Sequence, residues 1–82
     1  MFFTYIIRSI SNPTKTYIGF TSNIDDRLKS HNMGKSSYTK HYIPWKLEFY
    51  AAFHNKLTAI NFEKYLKSGS GKAFASKHFD II

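Results

Sequence analysis

Two short runs of aromatic and β-branched residues, 2–9 (FFTYIIRS) and 16–20 (TYIGF), stand either side of Ser11-Asn12-Pro13-Thr14-Lys15. No other feature of the chain constrains its fold as strongly. Residues of these types fit a pleated, half-buried surface, so each run predicts a strand. Side chains alternate along a strand, which puts Phe3, Tyr5 and Ile7 on one face and Phe2, Thr4 and Ile6 on the other. Proline fixes φ and asparagine tolerates unusual backbone angles, so the five residues between the runs read as a turn. The result is an antiparallel hairpin.

A helix is predicted next. Ser22 or Asn23 can cap it, Asp25 stands three residues after Ser22 in a capping-box-like arrangement, and Gly34 falls where a helix should stop. Ile24 and Leu28 share one stripe of it. Residues 35–45 (KSSYTKHYIPW) are basic and aromatic without periodicity, and read as a loop with room for one helical turn. Residues 46–53 alternate as a third strand, with Leu47, Phe49 and Ala51 facing one way. Asn55 can cap a second helix over 56–68, whose Ala59, Phe62 and Leu66 form a buried stripe and which Gly69 and Gly71 should end. A last amphipathic piece lies around 72–79. The order is β-β-α-β-α with a short final helix, an α+β class, and the expected domain is 1–82.

The chain has 82 residues, and one of that size buries only about 60% of its unfolded surface. With 43% hydrophobic and 18% aromatic residues, the supply for a small core is adequate. It has no cysteine, which removes disulfides and thiolate zinc sites and fits a reducing compartment. The apolar N-terminal run is too short for a membrane span and lacks the flanks of a leader, so a cytoplasmic protein with no membrane partner is expected. Twelve Lys and Arg against five Asp and Glu give a net charge of +7. Such a surplus attracts polyanions, nucleic acid above all; the competing reading is lysines that only keep the surface soluble. Composition leaves a binding protein and a nuclease equally open.

The acids are Asp25, Asp26, Glu48, Glu63 and Asp80. Asp25 and Asp26 complement a helix dipole in its first turn. Glu48 reads as a solvated strand residue, and Asp80 lies near the terminus. Glu63 stands beside the buried stripe with Lys64 and Lys67 near it, where a surface ion pair competes with a metal ligand. Arg27 and His31, four apart, project from one helix face and can present a guanidinium and an imidazole to a phosphate, or simply be solvated. No histidine pair with zinc spacing and no glycine-rich phosphate loop can be assembled.

Taken in order, Tyr17-Ile18-Gly19, then residues 23–32 with Arg27 and His31, then Gly34-Lys35, Ser37-Tyr38-Thr39, Pro44-Trp45-Lys46-Leu47, and finally Ala59-Ile60 with Phe62-Glu63-Lys64 and Leu66-Lys67, this chain resembles the small single-domain members of the GIY-YIG nuclease superfamily. The resemblance covers residues 3–74. The first signature element departs from Gly-Ile-Tyr and reads Phe3-Thr4-Tyr5, keeping only the tyrosine. The resemblance implies a small three-stranded antiparallel sheet flanked by helices and a metal-dependent DNA endonuclease, similar to the excinuclease nuclease domain and to structure-specific endonuclease subunits. It implies that Glu63 binds a single Mg²⁺ or Mn²⁺ and that Tyr5 or Tyr17 orients or deprotonates the attacking water. Arg27 would lower the tyrosine pKa and stabilise phosphate charge, and His31 would relay a proton or contact the phosphate. Gly19 would allow close approach of substrate. Lys35, Lys40, His41, Lys64, Lys67 and Lys72 would track phosphates, while Tyr38, Tyr42 and Trp45 either stack on unpaired bases or pack beneath the loop. The expected substrate is DNA, branched or single-stranded, in repair or processing of structured DNA, with a protein partner or a homodimer allowed. The alternatives are a non-catalytic nucleic-acid-binding module on the same fold and a subunit that needs a partner.

Overall fold

The structure is a computed structural model and describes residues 1–80, so the last two residues of the expected domain lie outside the described residues. Its elements are β1 (Phe2–Ser9), β2 (Thr16–Thr21), α1 (Ile24–Asn32), a single 3-10 turn (Thr39–Tyr42), β3 (Trp45–Phe53), α2 (Lys56–Lys67) and α3 (Gly69–Phe79). The strands form one antiparallel sheet in the order β2-β1-β3. Sequence and structure agree on the α+β class and on the element order. Among the described residues no helix is long and apolar enough to cross a membrane.

Residues on both faces of β1 are apolar or small, and the fold places that strand in the middle, where both faces are covered. Thr4, Tyr5, Ile6 and Ile7 are all buried. Opposite them on β2 stand Phe20, Gly19, Ile18 and Tyr17 in turn. The turn is closed by Ser9 N–H donating to the Lys15 carbonyl at 3.0 Å and Asn12 N–H donating to Ser9 Oγ at 2.9 Å. On one side of the sheet, Ile6, Ile18, Leu66 and Ala75 pack with Phe49 and Phe62 beneath α2 and α3. On the other, Tyr5, Ile7 and Trp45 pack with Tyr17, Leu28, Tyr42, Ile43 and Leu47 beneath α1 and the 3-10 turn.

The third strand differs from simple alternation. Ile6 faces Phe49 but Ile7 faces Leu47, so Glu48 is an extra residue forming a bulge. The bulge sends Leu47 to the α1 side while Phe49 goes to the α2 side, so these two do not share a face as the sequence suggests. Glu48 is not free in solvent either: Arg8 Nε donates to it at 2.9 Å.

The helix caps also refine the sequence reading. Asn23, not Ser22, caps α1, its side chain accepting from Asp26 N–H at 3.1 Å. Asn55 caps α2 as expected. Gly69 and Gly71 do not end α2; they open α3, which is longer than the short piece expected. Ser68 separates α2 from α3 with ψ 164°, and its hydroxyl accepts from Gly71 N–H at 3.1 Å. A Cβ on Gly71 would lie 1.8 Å from the Tyr65 carbonyl oxygen, so glycine here permits the close approach of two helices.

Candidate active site

Tyr5 is only 2% exposed, and its ring lies over Gly19, its partner across the hairpin. A Cβ on Gly19 would stand 2.4 Å from the Tyr5 hydroxyl oxygen and 2.5 Å from the ring carbon that bears it. Gly19 is itself buried, so the space its missing side chain leaves is filled by Tyr5 rather than by a substrate. The signature glycine therefore places the tyrosine hydroxyl.

That hydroxyl meets two groups from α1. His31 Nε2 lies 2.8 Å away, and Arg27 Nε donates to the hydroxyl oxygen across a long 3.4 Å. The four-residue spacing of Arg27 and His31 does put both on one face of the helix. His31, however, is 1% exposed, so it is not the solvated side chain the sequence allowed, and its ring meets Tyr5 rather than the surface. Its second ring nitrogen, Nδ1, is 2.8 Å from Thr39 Oγ1. Thr39 is held in turn by its carbonyl, which accepts from Trp45 Nε1 at 2.8 Å. Asn32 ties α1 to the start of β3, accepting from Trp45 N–H at 2.6 Å and donating to the Trp45 carbonyl at 3.1 Å.

Thr39 is the residue that sequence reading misses as part of this cluster. It sits in a segment without periodicity, and nothing short of its tertiary contacts reveals that it is fully buried. The fate of Trp45 and Tyr42 is settled the same way. Trp45 is 2% exposed and packs beneath the loop, and Tyr42, half-buried, packs against it with Lys15 Nζ 5.5 Å from its ring. Tyr38, by contrast, is 43% exposed.

Burial pushes the Tyr5 phenol above its ordinary pKa; the hydrogen bond and charge of Arg27 pull it back without overcoming burial, and Tyr17 and Glu63 push it up further. The expected lowering by Arg27 is thus present as one influence but is not the net result. Burial, helped by the Arg27 charge, also holds the His31 imidazole below its usual value, so it is neutral near pH 7. Tyr17 packs its ring 5.1 Å from His31 and 6.5 Å from Tyr5, partly exposed at the rim of the cluster. The edge of this cluster is wet, since Arg27 is exposed and lines a shallow groove with Thr21, Ser22, Asn23, Asp26 and Ser30.

Glu63 stands on α2, close enough for its charge to be felt at Tyr5. Its side chain is 20% exposed, and Lys67 Nζ donates to Oε2 at 3.0 Å. Beside it opens a cleft of about 270 Å³ lined by Thr16, Tyr17, Ile18, Tyr38, Lys67 and Lys72. Lys67 and Lys72 therefore face the same space as the aromatic pair Tyr17 and Tyr38, whose rings stack 6.1 Å apart. Lys35, Lys40, His41 and Lys64 are exposed but do not line this cleft.

Comparison with known proteins identifies the family. Residues 1–77 match the GIY-YIG catalytic domain. The chain is 44% identical over 57 residues to a UPF0213 protein of Bacillus licheniformis, covering 68% of this chain and 59% of that protein. It is 35% identical over 68 residues to a UPF0213 protein of Clostridium perfringens, covering 82% and 71%. It is also 34% identical over 82 residues to structure-specific endonuclease subunit SLX1 of Malassezia globosa, covering 95% of this chain but 18% of that protein. The chain thus spans about three fifths of the first of these relatives and under a fifth of the last. It belongs to the GIY-YIG catalytic domain family.

Proposed function

We propose that this chain is a divalent-metal-dependent DNA endonuclease that hydrolyses phosphodiester bonds in structured or single-stranded DNA, in repair or processing. The observation that carries the reading is the convergence of Tyr5, Tyr17, Arg27 and His31 on one patch, with Glu63 within electrostatic reach. Family membership and the likeness to an endonuclease subunit support it.

Each group has a role its position allows. Tyr5 is the better candidate for the base, since its hydroxyl oxygen meets both Arg27 and His31. Tyr17, at the rim, orients water or a phosphate oxygen. Arg27, exposed on one side and bonded to Tyr5 on the other, answers negative charge building on the phosphate. Lys67 and Lys72 hold flanking phosphates, while Lys35, Lys40, His41 and Lys64 add to the basic surface. Tyr38 offers its exposed ring to an unpaired base beside them.

Glu63 suits an ion such as Mg²⁺ or Mn²⁺, which keeps most of its water and takes one or two carboxylates plus phosphate oxygens. Among the described residues no three His, Cys, Asp or Glu side chains gather into a closed metal cage, so the donor set fits that open coordination. When bound, such an ion polarises the phosphoryl oxygen and stabilises the leaving group. An ion held through Oε2 would displace Lys67. That ion pair is also the feature that favours the second reading, a non-catalytic nucleic-acid-binding module, because it already neutralises the carboxylate. A chain that works only with a partner accords with the name of the Malassezia relative.

The test is cleavage of labelled duplex, single-stranded, flapped and branched DNA with Mg²⁺, Mn²⁺ or EDTA, beside a Glu63→Gln protein. Metal-dependent cleavage that the variant loses while still binding DNA supports the enzyme. No cleavage of any substrate, with equal binding by both proteins, leaves the binding module or the partner-dependent subunit.

A further inference from the structure

We infer that Lys67 is a latch on Glu63. In the free protein its ammonium holds the carboxylate oxygen that a divalent ion would take, and a nucleic-acid phosphate entering the neighbouring cleft draws it away, so that metal and nucleic acid bind cooperatively. The inference rests on the proposed reading of Glu63 as the metal-binding carboxylate.

The ion pair is built unevenly. Glu63 and Lys67 stand four apart on α2 with the acid on the N-terminal side, the better orientation for a helical pair. Lys67 Nζ donates to Glu63 Oε2 at 3.0 Å. The glutamate side chain is 20% exposed and the lysine side chain 52%. The carboxylate is therefore the sheltered member, and the ammonium, a compact charge on a flexible stem, is the one that can leave. Lys64 is next to Glu63 in sequence, but adjacent positions on a helix do not face each other. It is exposed and forms no ion pair among the described residues.

The same lysine borders a second place for an anion. Lys67 lines the cleft with Lys72, Tyr17 and Tyr38, and no acid lines it with them. A phosphate settling there meets two ammonium groups, one of them already committed to Glu63. Among the described residues no closed metal cage surrounds Glu63, so an ion there leans on this carboxylate and on phosphate oxygens. Competition for one carboxylate oxygen then weighs directly on its affinity. With a phosphate in the cleft, Lys67 can exchange one anion for another and leave Oε2 open. Like charge keeps it from returning once a cation is bound. Solvent-exposed pairs of this kind stabilise modestly, so the latch should weaken metal binding to the free protein about 2–5-fold. By reciprocity, whatever the phosphate returns to the ion, the ion returns to the phosphate.

The experiment measures Mn²⁺ binding by electron paramagnetic resonance, with and without a saturating short oligothymidylate checked as intact on a gel. The proteins are the parent chain, Lys67→Met, Lys64→Met and Glu63→Gln. Both lysines are exposed on α2, and methionine keeps the helical preference, so folding should persist. Without DNA, Lys67→Met should bind Mn²⁺ about 2–5-fold more tightly than the parent. Lys64→Met, which removes the same charge but frees no carboxylate oxygen, should gain less. With DNA saturating, after subtracting the signal of Glu63→Gln with the same DNA, the parent and Lys67→Met should converge. Equal gains in the two lysine variants would reduce the latch to net charge and overturn it. An advantage of Lys67→Met that persists undiminished with DNA, or no binding of the oligothymidylate by the parent, would overturn the release by phosphate. Mn²⁺ binding unchanged in Glu63→Gln would remove the metal reading of Glu63 and the latch together, whereas binding lost in Glu63→Gln but equal in the other three proteins would remove the latch alone. None of these readouts requires turnover.

Discussion

The two faces of the sheet draw alternate residues from the same three strands and are held by different forces. Under α2 and α3 the contacts are almost wholly apolar: Ile6 and Leu66 are fully buried, and the phenylalanines Phe49 and Phe62 close over them. The one buried hydrogen bond joining strand to helix there, among the described residues, is Thr4 Oγ1 donating to the Ala59 carbonyl at 2.6 Å. Under α1 the face is half polar, with a continuous run from Arg27 through Tyr5, His31 and Thr39 to Trp45. Burying such groups is unfavourable unless each finds a partner, and every buried side-chain nitrogen and oxygen among the described residues does. One face secures the fold by area removed from water, while the other uses that security to hold a polar cluster dry.

The contrast breaks most visibly in a pair of substitutions. Leu66→Ala should destabilise the chain by about 2–5 kcal/mol, a large part of the roughly 5–15 kcal/mol available to a domain. Its kcat, measured where the variant is still folded, should stay within about two-fold, since the Leu66 side chain packs in the apolar cluster while Glu63 and Lys67 on the same helix keep their own side chains. Tyr5→Phe should do the reverse. The ring still fills the space over Gly19, and the loss of one partner for His31 costs about 1–3 kcal/mol. Its kcat should fall about 100-fold or more, the range assigned to a positioned base. Thermal unfolding and single-turnover cleavage on both proteins decide it; equal losses of kcat would show that the faces are not separable.

Two glycines sharpen the same contrast at smaller scale. Gly71→Ala drives a Cβ into the Tyr65 carbonyl, which is backbone and cannot swing aside. Gly19→Ala drives it into the Tyr5 ring and hydroxyl. Both should cost about 1–3 kcal/mol of stability as overpacked sites. Only Gly19→Ala should also displace the hydroxyl from His31 and lower kcat, and a Gly71→Ala protein with the same kcat loss would contradict the division.

How much of this was legible in the sequence varies with the kind of signal. The hairpin, α1 and α2 were readable because periodicity and caps are local: the alternation of residues 2–9, Asn23 as one of two candidate caps, and Asn55 before the Ala59-Phe62-Leu66 stripe. Family resemblance added Tyr5, Tyr17, Arg27, His31 and Glu63 as a set, and the fold brings the first four together. The bulge at Glu48 was not readable, because it exists only in the pairing with Ile6 and Ile7. Nor were Gly69 and Gly71 as helix openers, since a glycine after a helical stripe looks the same whether it stops one helix or allows the next to approach. Thr39 and Trp45 were hidden because residues 35–45 carry no period from which burial could be inferred.

Tyr38 tests the outer margin of the polar face. Its ring stacks on Tyr17 and shares a cleft with Lys67 and Lys72. Stacking by one base is worth about 1–3 kcal/mol, and a ring only half free should sit at the low end. Tyr38→Ala should therefore weaken binding of single-stranded DNA several-fold by fluorescence anisotropy while leaving fully paired duplex almost unchanged. An equal loss on both would reassign Tyr38 to packing.

The smallest effect separates the faces by pH. Folding holds His31 neutral with a lowered pKa, so below the ordinary imidazole value of about 6.5 the unfolded chain binds more protons than the folded one. Stability from this group is full above that value and is lost as pH falls through the lower folded pKa. Tyr5 behaves oppositely: folding favours its protonated form, so its share is full below the ordinary tyrosine value and is lost as pH climbs through the raised one. The apolar cluster contains no titrating group. Leu66→Ala should therefore lower the urea midpoint by the same amount at pH 7 and pH 5, whereas His31→Gln should lower it more at pH 7 than at pH 5, because the parent loses at pH 5 what the variant never had. A constant offset for His31→Gln across that window would mean that folding does not shift the imidazole at all, and a larger offset at pH 5 would mean that it is charged in the fold, so that the polar face is held by an ion rather than by a chain of neutral hydrogen bonds.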